Sequence, residues 1–557
     1  MTDTTAGRTP AMTRRETLEA LSGILLGVFV SLLATTIVST ALPRIVADLD
    51  GSQHAYTWVV TAMLLTMTIS TPLWGKLADL TNRKTLIQIA LVITVVSAAS
   101  AGFAQNMEML ITSRALQGIG AGGLMSLATV LMSDIISPRE RGKYMGLMGG
   151  VMAVAQIGGP LLGGLITDSV GWRYTFFVGV PFAVVALVVL QKTLHLPARP
   201  PRAVRIDYVG AGLIAVGVAL LLLWVTFAGD QFAWASWQTA AMVGAAAVAL
   251  LGAVLAERRA PEPIIPLHLF RNRTFVLSIV ASAAVGVAMF GTAVFLAQYL
   301  QLARGMTPTQ SGLQTIPMVV GTMLGGIVLG RIISRTGRYK AIMIGGAVVL
   351  TASLFGMSTI GTGTSLVVLS VFLFGLGLSV GALMQNLVLA TQNTLDLRDM
   401  GAGTATVAFF RSLGGAIGVS ALGAVLASDV RDELARGLAE LGVPTSAIGG
   451  STGAVPDMSA LPGPVADVVA SAYTEGITGI FLVAVPLAVV ALVAICFIVE
   501  IPLGERSGIE QTRDLAAQQD ADEPAEHGTD VTDRTDGPAT VAAPSTTAAT
   551  TPVAARD

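Results

Sequence analysis

The chain is poor in most of what a soluble enzyme depends on. Of its 557 residues only 12% are charged, about half the share found in soluble domains. That excludes a water-solvated surface over most of the polypeptide. A single cysteine, Cys496, excludes any intrachain disulfide. No Gly-x-x-x-x-Gly-Lys-Ser/Thr loop occurs, so ATP is excluded as a direct energy source. No group of side chains suggests a metal centre or a bound cofactor. No carboxylate falls near the middle of any long apolar run. The net charge of −2 decides nothing, because the charges are segregated along the chain rather than balanced locally.

What is present is apolar length. Hydrophobic residues make up 53% of the chain and the mean hydropathy is +0.72. About twenty consecutive apolar residues suffice to span a bilayer. Fourteen such runs occur, at 21–42, 56–75, 86–104, 109–132, 144–166, 174–194, 208–228, 237–256, 274–298, 311–331, 341–360, 365–390, 402–427 and 475–499. The sequence therefore predicts an all-α integral membrane protein with fourteen transmembrane helices and both ends on one side. The N-terminal tail carries Arg8, Arg14 and Arg15 and leads into a full-length apolar run, without the cleavage site of a secretory signal. With that tail inside, only Arg44, Arg173, Arg304, Arg431 and Arg436 lie in outer loops, and Arg114 and Arg411 lie within spans. The other 26 of 33 basic residues (33 − 5 − 2) are then cytoplasmic. This bias sets the expected orientation in a plasma (inner) membrane, with both termini cytoplasmic.

The chain also repeats itself. Gly75-Lys76-Leu77-Ala78-Asp79-Leu80-Thr81-Asn82-Arg83-Lys84-Thr85 has a near-copy beginning at Gly330, 255 positions later (330 − 75). Gln117-Gly118-Ile119-Gly120 matches Phe374-Gly375-Leu376-Gly377 at an offset of 257, and Gly158-Gly159 matches Gly414-Gly415 at 256. Parallel repeats of six spans are thereby expected. The domain plan is a tail at 1–20, a first six-helix bundle at 21–194, and linkers with an inserted helix pair at 195–273 (208–228 and 237–256). A second six-helix bundle follows at 274–499, carrying an outer loop at 428–473. Residues 500–557 are too poor in apolar side chains to pack and read as a disordered cytoplasmic tail.

The charged turn at 75–85 is expected to end one helix at Gly75 and to hold an inner gate. In that gate Asp79 pairs with a cation from Arg83, Lys84, Arg139 or Arg141, and Asp134 joins from the next loop. Arg114 lies inside the fourth run, where a cation is costly unless paired or wetted, so it should face the bundle interior. Gly118, Gly120 and Gly123 have the spacing of a dinucleotide turn, but they sit in an apolar span without a preceding strand. They read instead as contact points between helices. Pro160 removes a backbone hydrogen bond inside the fifth run, flanked by Gly159, Gly163 and Gly164.

These stretches resemble the major facilitator superfamily. The turn at 75–85 resembles its loop between the second and third helices. Arg114-Ala115-Leu116-Gln117-Gly118-Ile119-Gly120 resembles the fourth-helix motif, whose arginine is implicated in proton transfer or substrate contact. Gly159-Pro160-Leu161-Leu162-Gly163-Gly164 resembles the fifth-helix motif of the proton-coupled exporters. Trp172-Arg173-Tyr174 onward, together with Asp134 and Pro138–Gly142, looks like the fourteen-span drug:proton antiporter group. The resemblance covers roughly residues 20–500. It implies multidrug efflux by alternating access, driven by protons, with no enzymatic step and no nucleic-acid partner. It departs at Leu33-Ala34-Thr35-Thr36-Ile37-Val38, where that group usually carries an acid at the position of Ala34. Two deep cations, Arg114 and Arg411, and no deep acid then favour neutral or anionic amphiphiles. Gln117, Gln156, Gln385, Asn386 and Gln392 are placed to supply hydrogen bonds, and Glu475, Asp134 and Asp79 are the groups available to carry a proton. Uptake by the same fold, or a lipid-translocation partner or non-transporting sensor, are the competing readings.

Overall fold

The computed structural model describes residues 14–135, 141–194, 207–228, 232–260, 265–395, 399–443, 458 and 461–501. Among them there is no β-strand, and an isolated bridge joins Ala228 and Phe232. Sixteen α-helices follow one another. They are α1 (Arg14–Asp48), α2 (Gln53–Leu80), α3 (Arg83–Gly102), α4 (Met107–Ile135), α5 (Arg141–Ser169), α6 (Gly179–Thr193), α7 (Tyr208–Phe227) and α8 (Trp237–Arg259). Then come α9 (Arg273–Gln298), α10 (Pro308–Gln314), α11 (Ile316–Leu324), α12 (Gly330–Thr336), α13 (Lys340–Met357), α14 (Leu366–Gln392), α15 (Met400–Glu440) and α16 (Gly463–Phe497). Two π-helical stretches, Tyr299–Ala303 and Gly325–Leu329, extend α9 and join α11 to α12.

Eleven helical stretches in the described residues are long and apolar enough to cross a membrane. The glycine-rich α4 and α5 are not in that set, and α7 contributes a shorter apolar helix, Val209–Val225. A bilayer offers no water to backbone amides, so the helices must satisfy their own ends. Side chains do so at the starts of α2, α7, α8 and α9, where Ser52, Asp207, Ser236 and Asn272 accept from backbone N–H groups. Thr307 and Gln310 close a reciprocal capping box on α10.

The turn at 75–85 is shorter than its sequence suggests. α2 does not stop at Gly75 but continues to Leu80, because Lys76 to Leu80 contains no helix breaker. Asn82 then caps α3 through the amide of Lys84 at 3.0 Å. In the second copy the helix does end on a glycine, Gly337, with φ 67°, a backbone conformation glycine adopts without a Cβ penalty.

Helix packing re-registers the repeat. A Cβ on Gly120 would strike Thr94 of α3, and one on Gly375 would strike Ser353 of α13. Gly122 lies on Met67 of α2, and Gly377 lies on the Met318 carbonyl of α11. Gly159 and Gly163 lie on Thr36 and Ile37 of α1, whereas Gly414 and Gly418 lie on Ala283 and Val287 of α9. Each pair is 255 residues apart (375 − 120, 377 − 122, 414 − 159, 418 − 163), the separation already found for the charged turn. The offsets of 257 and 256 read from the sequence are therefore one or two residues out, since a Gly-rich helix offers several equally good letter matches. The same shift makes Gln156 of α5 the repeat equivalent of Arg411 of α15 (411 − 156 = 255).

These contacts are tight enough to test. Gly377→Leu would force a side chain into the Met318 backbone, and overpacking of this kind costs about 1–3 kcal/mol or more. The variant should be lost from the monodisperse peak in detergent gel filtration. Gly345→Leu, where nothing lies within 4 Å, should run like the parent.

α15 and α16 run well past the apolar runs that seed them. Residues 428–440 and 463–473, expected as loop, are helical. Leu438, Val465 and Val469 are buried there, and Gly437 sits against Val468. Arg436 pairs with Glu433 one turn away. The stretch between Ser428 and Glu440 is amphipathic and proline-free, so the helix runs on to Glu440, and the chain turns just after it at Gly442, with φ 66°.

Candidate functional site

α1, α2 and α4 meet around one arginine. Arg114 lies on α4 and is 1% exposed. Its Nη1 donates to the carbonyl of Ala34 on α1 at 3.1 Å and to the side-chain oxygen of Gln117, one turn along α4, at 2.5 Å. Its Nε donates to the carbonyl of Val59 on α2 at 3.4 Å. All three acceptors are neutral. The guanidinium thus ties three helices together without a counter-ion among the described residues, in surroundings where an unpaired charge is expensive. It meets α1 at Ala34, the position where the resemblance leads one to expect an acid.

Beside this network is a chamber of about 10 Å³, lined by Leu33, Ala34, Val38, Thr94, Gln117 and Thr175 among others. That is room for about one water molecule. The glycines of α4 make the arrangement possible. Gly118 lies against the Met63 carbonyl and Thr66, and Gly123 lies against Trp74. The side chains of Thr66 and Trp74 bridge back to the carbonyls of Ala115 and Ile119 at 2.7 and 2.9 Å. Gly118, Gly120 and Gly123 are therefore packing positions, as their apolar setting implied.

The other expected site residues are scattered. Gln156 is half-buried on α5, and on the adjoining turn Thr36 donates to the Ala155 carbonyl at 3.2 Å. Arg411 is half-buried on α15 and has no hydrogen bond or ion pair with the described residues. Asn386 is buried but satisfies its own helix through Ala382 at 2.6 Å, and Gln385 beside it is exposed. Gln392 donates to Thr404 at 2.9 Å. Glu475 is exposed on α16. The fifth-helix motif packs as a unit: Gly159 and Gly163 on α1, and Gly164 on the backbone of Pro308 and Thr309. The carbonyl of Pro160 meets Gly312 of α10.

The residues expected at an inner gate are described only in part. Arg83 is buried and its Nε donates to the Ala78 carbonyl at 2.9 Å. Lys84 reaches the Gln191 carbonyl near the end of α6 at 2.7 Å. Both cations close helix ends, a common use of basic side chains. Gly75 faces Ser126 of α4. Arg139 and the side chains of Asp79, Asp134 and Arg141 lie outside the described residues.

Sequence reasoning missed a second set of polar contacts, which join α1, α2 and α5 to α9, α10 and α15. Gln53 and Gln298 exchange amide hydrogen bonds of 3.1 and 2.5 Å. Tyr56 donates to the Val294 carbonyl at 2.8 Å, Gln301 donates to the Thr40 carbonyl at 2.6 Å, and Thr61 meets Ser420 at 3.2 Å. Asp168 accepts from the amide and the hydroxyl of Thr309. The only sequence signal was a sprinkling of Gln, Thr and Tyr near run ends.

Known proteins place this architecture. The sequence profile of the Major Facilitator Superfamily matches residues 24–419. The chain belongs to the major facilitator superfamily. A multidrug transporter protein of Bacillus subtilis, MdtP, is 34% identical over 73% of the chain and 74% of its own length. Multidrug resistance protein 3 of the same organism is 30% identical over 85% of the chain and 94% of its own length. An uncharacterized transporter of the superfamily from Mycobacterium tuberculosis is 37% identical over 86% of the chain and 69% of its own length. Among solved structures, a bacterial homolog of the human lysosomal transporter Spinster, in an inward-facing and unoccupied conformation, superposes with a TM-score of 0.59. It is 15% identical over 87% of the chain and 97% of its own length, so it speaks for the fold. This superfamily member is a multi-pass membrane transporter with a small-molecule substrate, not an enzyme.

Proposed function

We propose that this superfamily member exports neutral and anionic amphipathic compounds across the plasma membrane in exchange for protons, by alternating access. The observation that carries the charge preference is Arg114, held by three neutral oxygens with no carboxylate among its partners. Ala34 occupies the place where an acid would neutralise it. Arg411, at the repeat-equivalent position of Gln156, adds a second cation without a partner among the described residues. Like charges repel a cationic drug and leave anionic or neutral ones unopposed. The efflux direction is supported by the resemblance of the Gly159–Gly164 segment to the fifth-helix motif of the exporters and by the name of the relative called multidrug resistance protein 3.

In this reading the eleven candidate spans, with α4, α5 and α7, make fourteen (11 + 3). The inserted pair α7 and α8 separates two six-span units, and both termini are cytoplasmic. One proton crossing about 150 mV releases about 3.5 kcal/mol, enough for a substrate gradient of about a few hundredfold. Glu475, Asp134 and Asp79 are the available carriers.

The test is flux into everted membrane vesicles energised by an imposed pH gradient, with matched anionic, neutral and cationic amphiphiles. Uptake of the anionic and neutral probes that collapses with the gradient is expected. Accumulation of the cationic probe alone would refute the charge assignment. Uptake only into right-side-out vesicles would make the protein an importer.

A further inference from the structure

We propose that Asp168 is the releasable latch of the outer gate. The inference rests on the alternating-access reading and goes beyond it, by naming the contact that must break for the outer side to open. Between described residues, the hydrogen bonds that join the first six helices to α9–α16 all lie toward one end of the molecule. That end is where α1 finishes and α2, α10 and α16 begin. Under the orientation expected from the basic residues, it is the outer end.

The bonds differ in kind. Gln53–Gln298, Tyr56–Val294, Gln301–Thr40 and Thr61–Ser420 are neutral and buried. Asp168 supplies the one ionisable carboxylate in the set, and it is exposed. It accepts from the Thr309 amide at 2.9 Å and from the hydroxyl of the same residue. Charge-assisted bonds of this type are roughly twice as strong as neutral ones. Backbone packing brings the partners together: Gly164, one turn before Asp168, lies on Pro308 and Thr309, and Gly312 lies on the Pro160 carbonyl. The fifth-helix glycines thus bring α5 close enough to α10 for one carboxylate to grip it. The neutral bonds behind it form the seal.

Site-directed labelling of the full-length protein reads the latch without any substrate. In a Cys496→Ser background, Thr61→Cys places a thiol in the buried seam against Ser420. A membrane-impermeant maleimide is then applied to the outer face. Adding Asp168→Ala should raise the labelling rate about tenfold, the effect of losing two bonds to one carboxylate whose exposure to water weakens both. Asp168→Asn, which keeps an acceptor oxygen, should fall between parent and Asp168→Ala. Thr309→Val, which removes only the hydroxyl, should raise the rate about threefold. If Asp168→Ala does not accumulate, these two variants carry the test. Rates equal to the parent in every variant that accumulates would overturn the latch. Faster labelling without export of any probe would leave the latch standing and count against the efflux reading alone.

Discussion

Arg114→Ala is expected to reduce pH-driven export by about 100-fold or more while leaving the protein in the membrane. The guanidinium donates to the Ala34 and Val59 carbonyls and to Gln117. Losing such bonds costs about 1.5–3 kcal/mol each when the donor is charged, and about 2.7 kcal/mol is a hundredfold in an equilibrium. Insertion itself should not suffer, since a central arginine opposes insertion by about 2.5–3.5 kcal/mol. Membrane abundance is therefore the control and vesicle flux the readout. Arg114→Lys keeps the charge but not the planar fork, so it should retain only part of the activity. Normal export by Arg114→Ala would remove this residue from the transport pathway. Loss of the protein from the membrane would make it a structural tie alone.

Ala34→Asp is expected to shift selectivity toward cations by about tenfold or more. The backbone of residue 34 already contacts Arg114, and its side chain lines the chamber of about 10 Å³ beside Gln117. A carboxylate is larger than the single water this chamber holds, so its lining must give way to admit one. The added acid would neutralise the guanidinium and end the repulsion of cationic substrates. The measurement is the ratio of cationic to anionic probe uptake in the same vesicles. An unchanged ratio in a well-folded Ala34→Asp protein would show that charge at this position does not select substrate.

Much of this was legible in the sequence, for identifiable reasons. Apolar run length fixes where helices sit in a bilayer, so the all-helical architecture followed directly. Arg114 was conspicuous because a cation inside an apolar run has few acceptable surroundings. Its partners were not legible, since two of them are backbone carbonyls and any residue supplies those. Helix ends were less readable. Gly75 looked like a terminator, but α2 continues to Leu80, because a glycine flanked by good helix formers is only a weak break. Residues 428–440 looked like loop because they are polar, yet an amphipathic polar stretch continues a helix when Leu438 finds cover. The contacts between the two sets of helices were invisible, since Gln53 and Gln298 are 245 residues apart and no local pattern links them.

The length of α15 has a mechanical consequence. Its 41 residues make a rod about 60 Å long, against a hydrocarbon layer of about 30 Å. It packs against α16 along the protruding part through Gly437 and Val468, and under the alternating-access proposal it would act as a stiff lever. A rotation of about 10° at the bilayer centre would swing a point about 35 Å away through about 6 Å. A spectroscopic probe at Glu440 would thus report sub-nanometre rocking from a position clear of lipid and of the transport route.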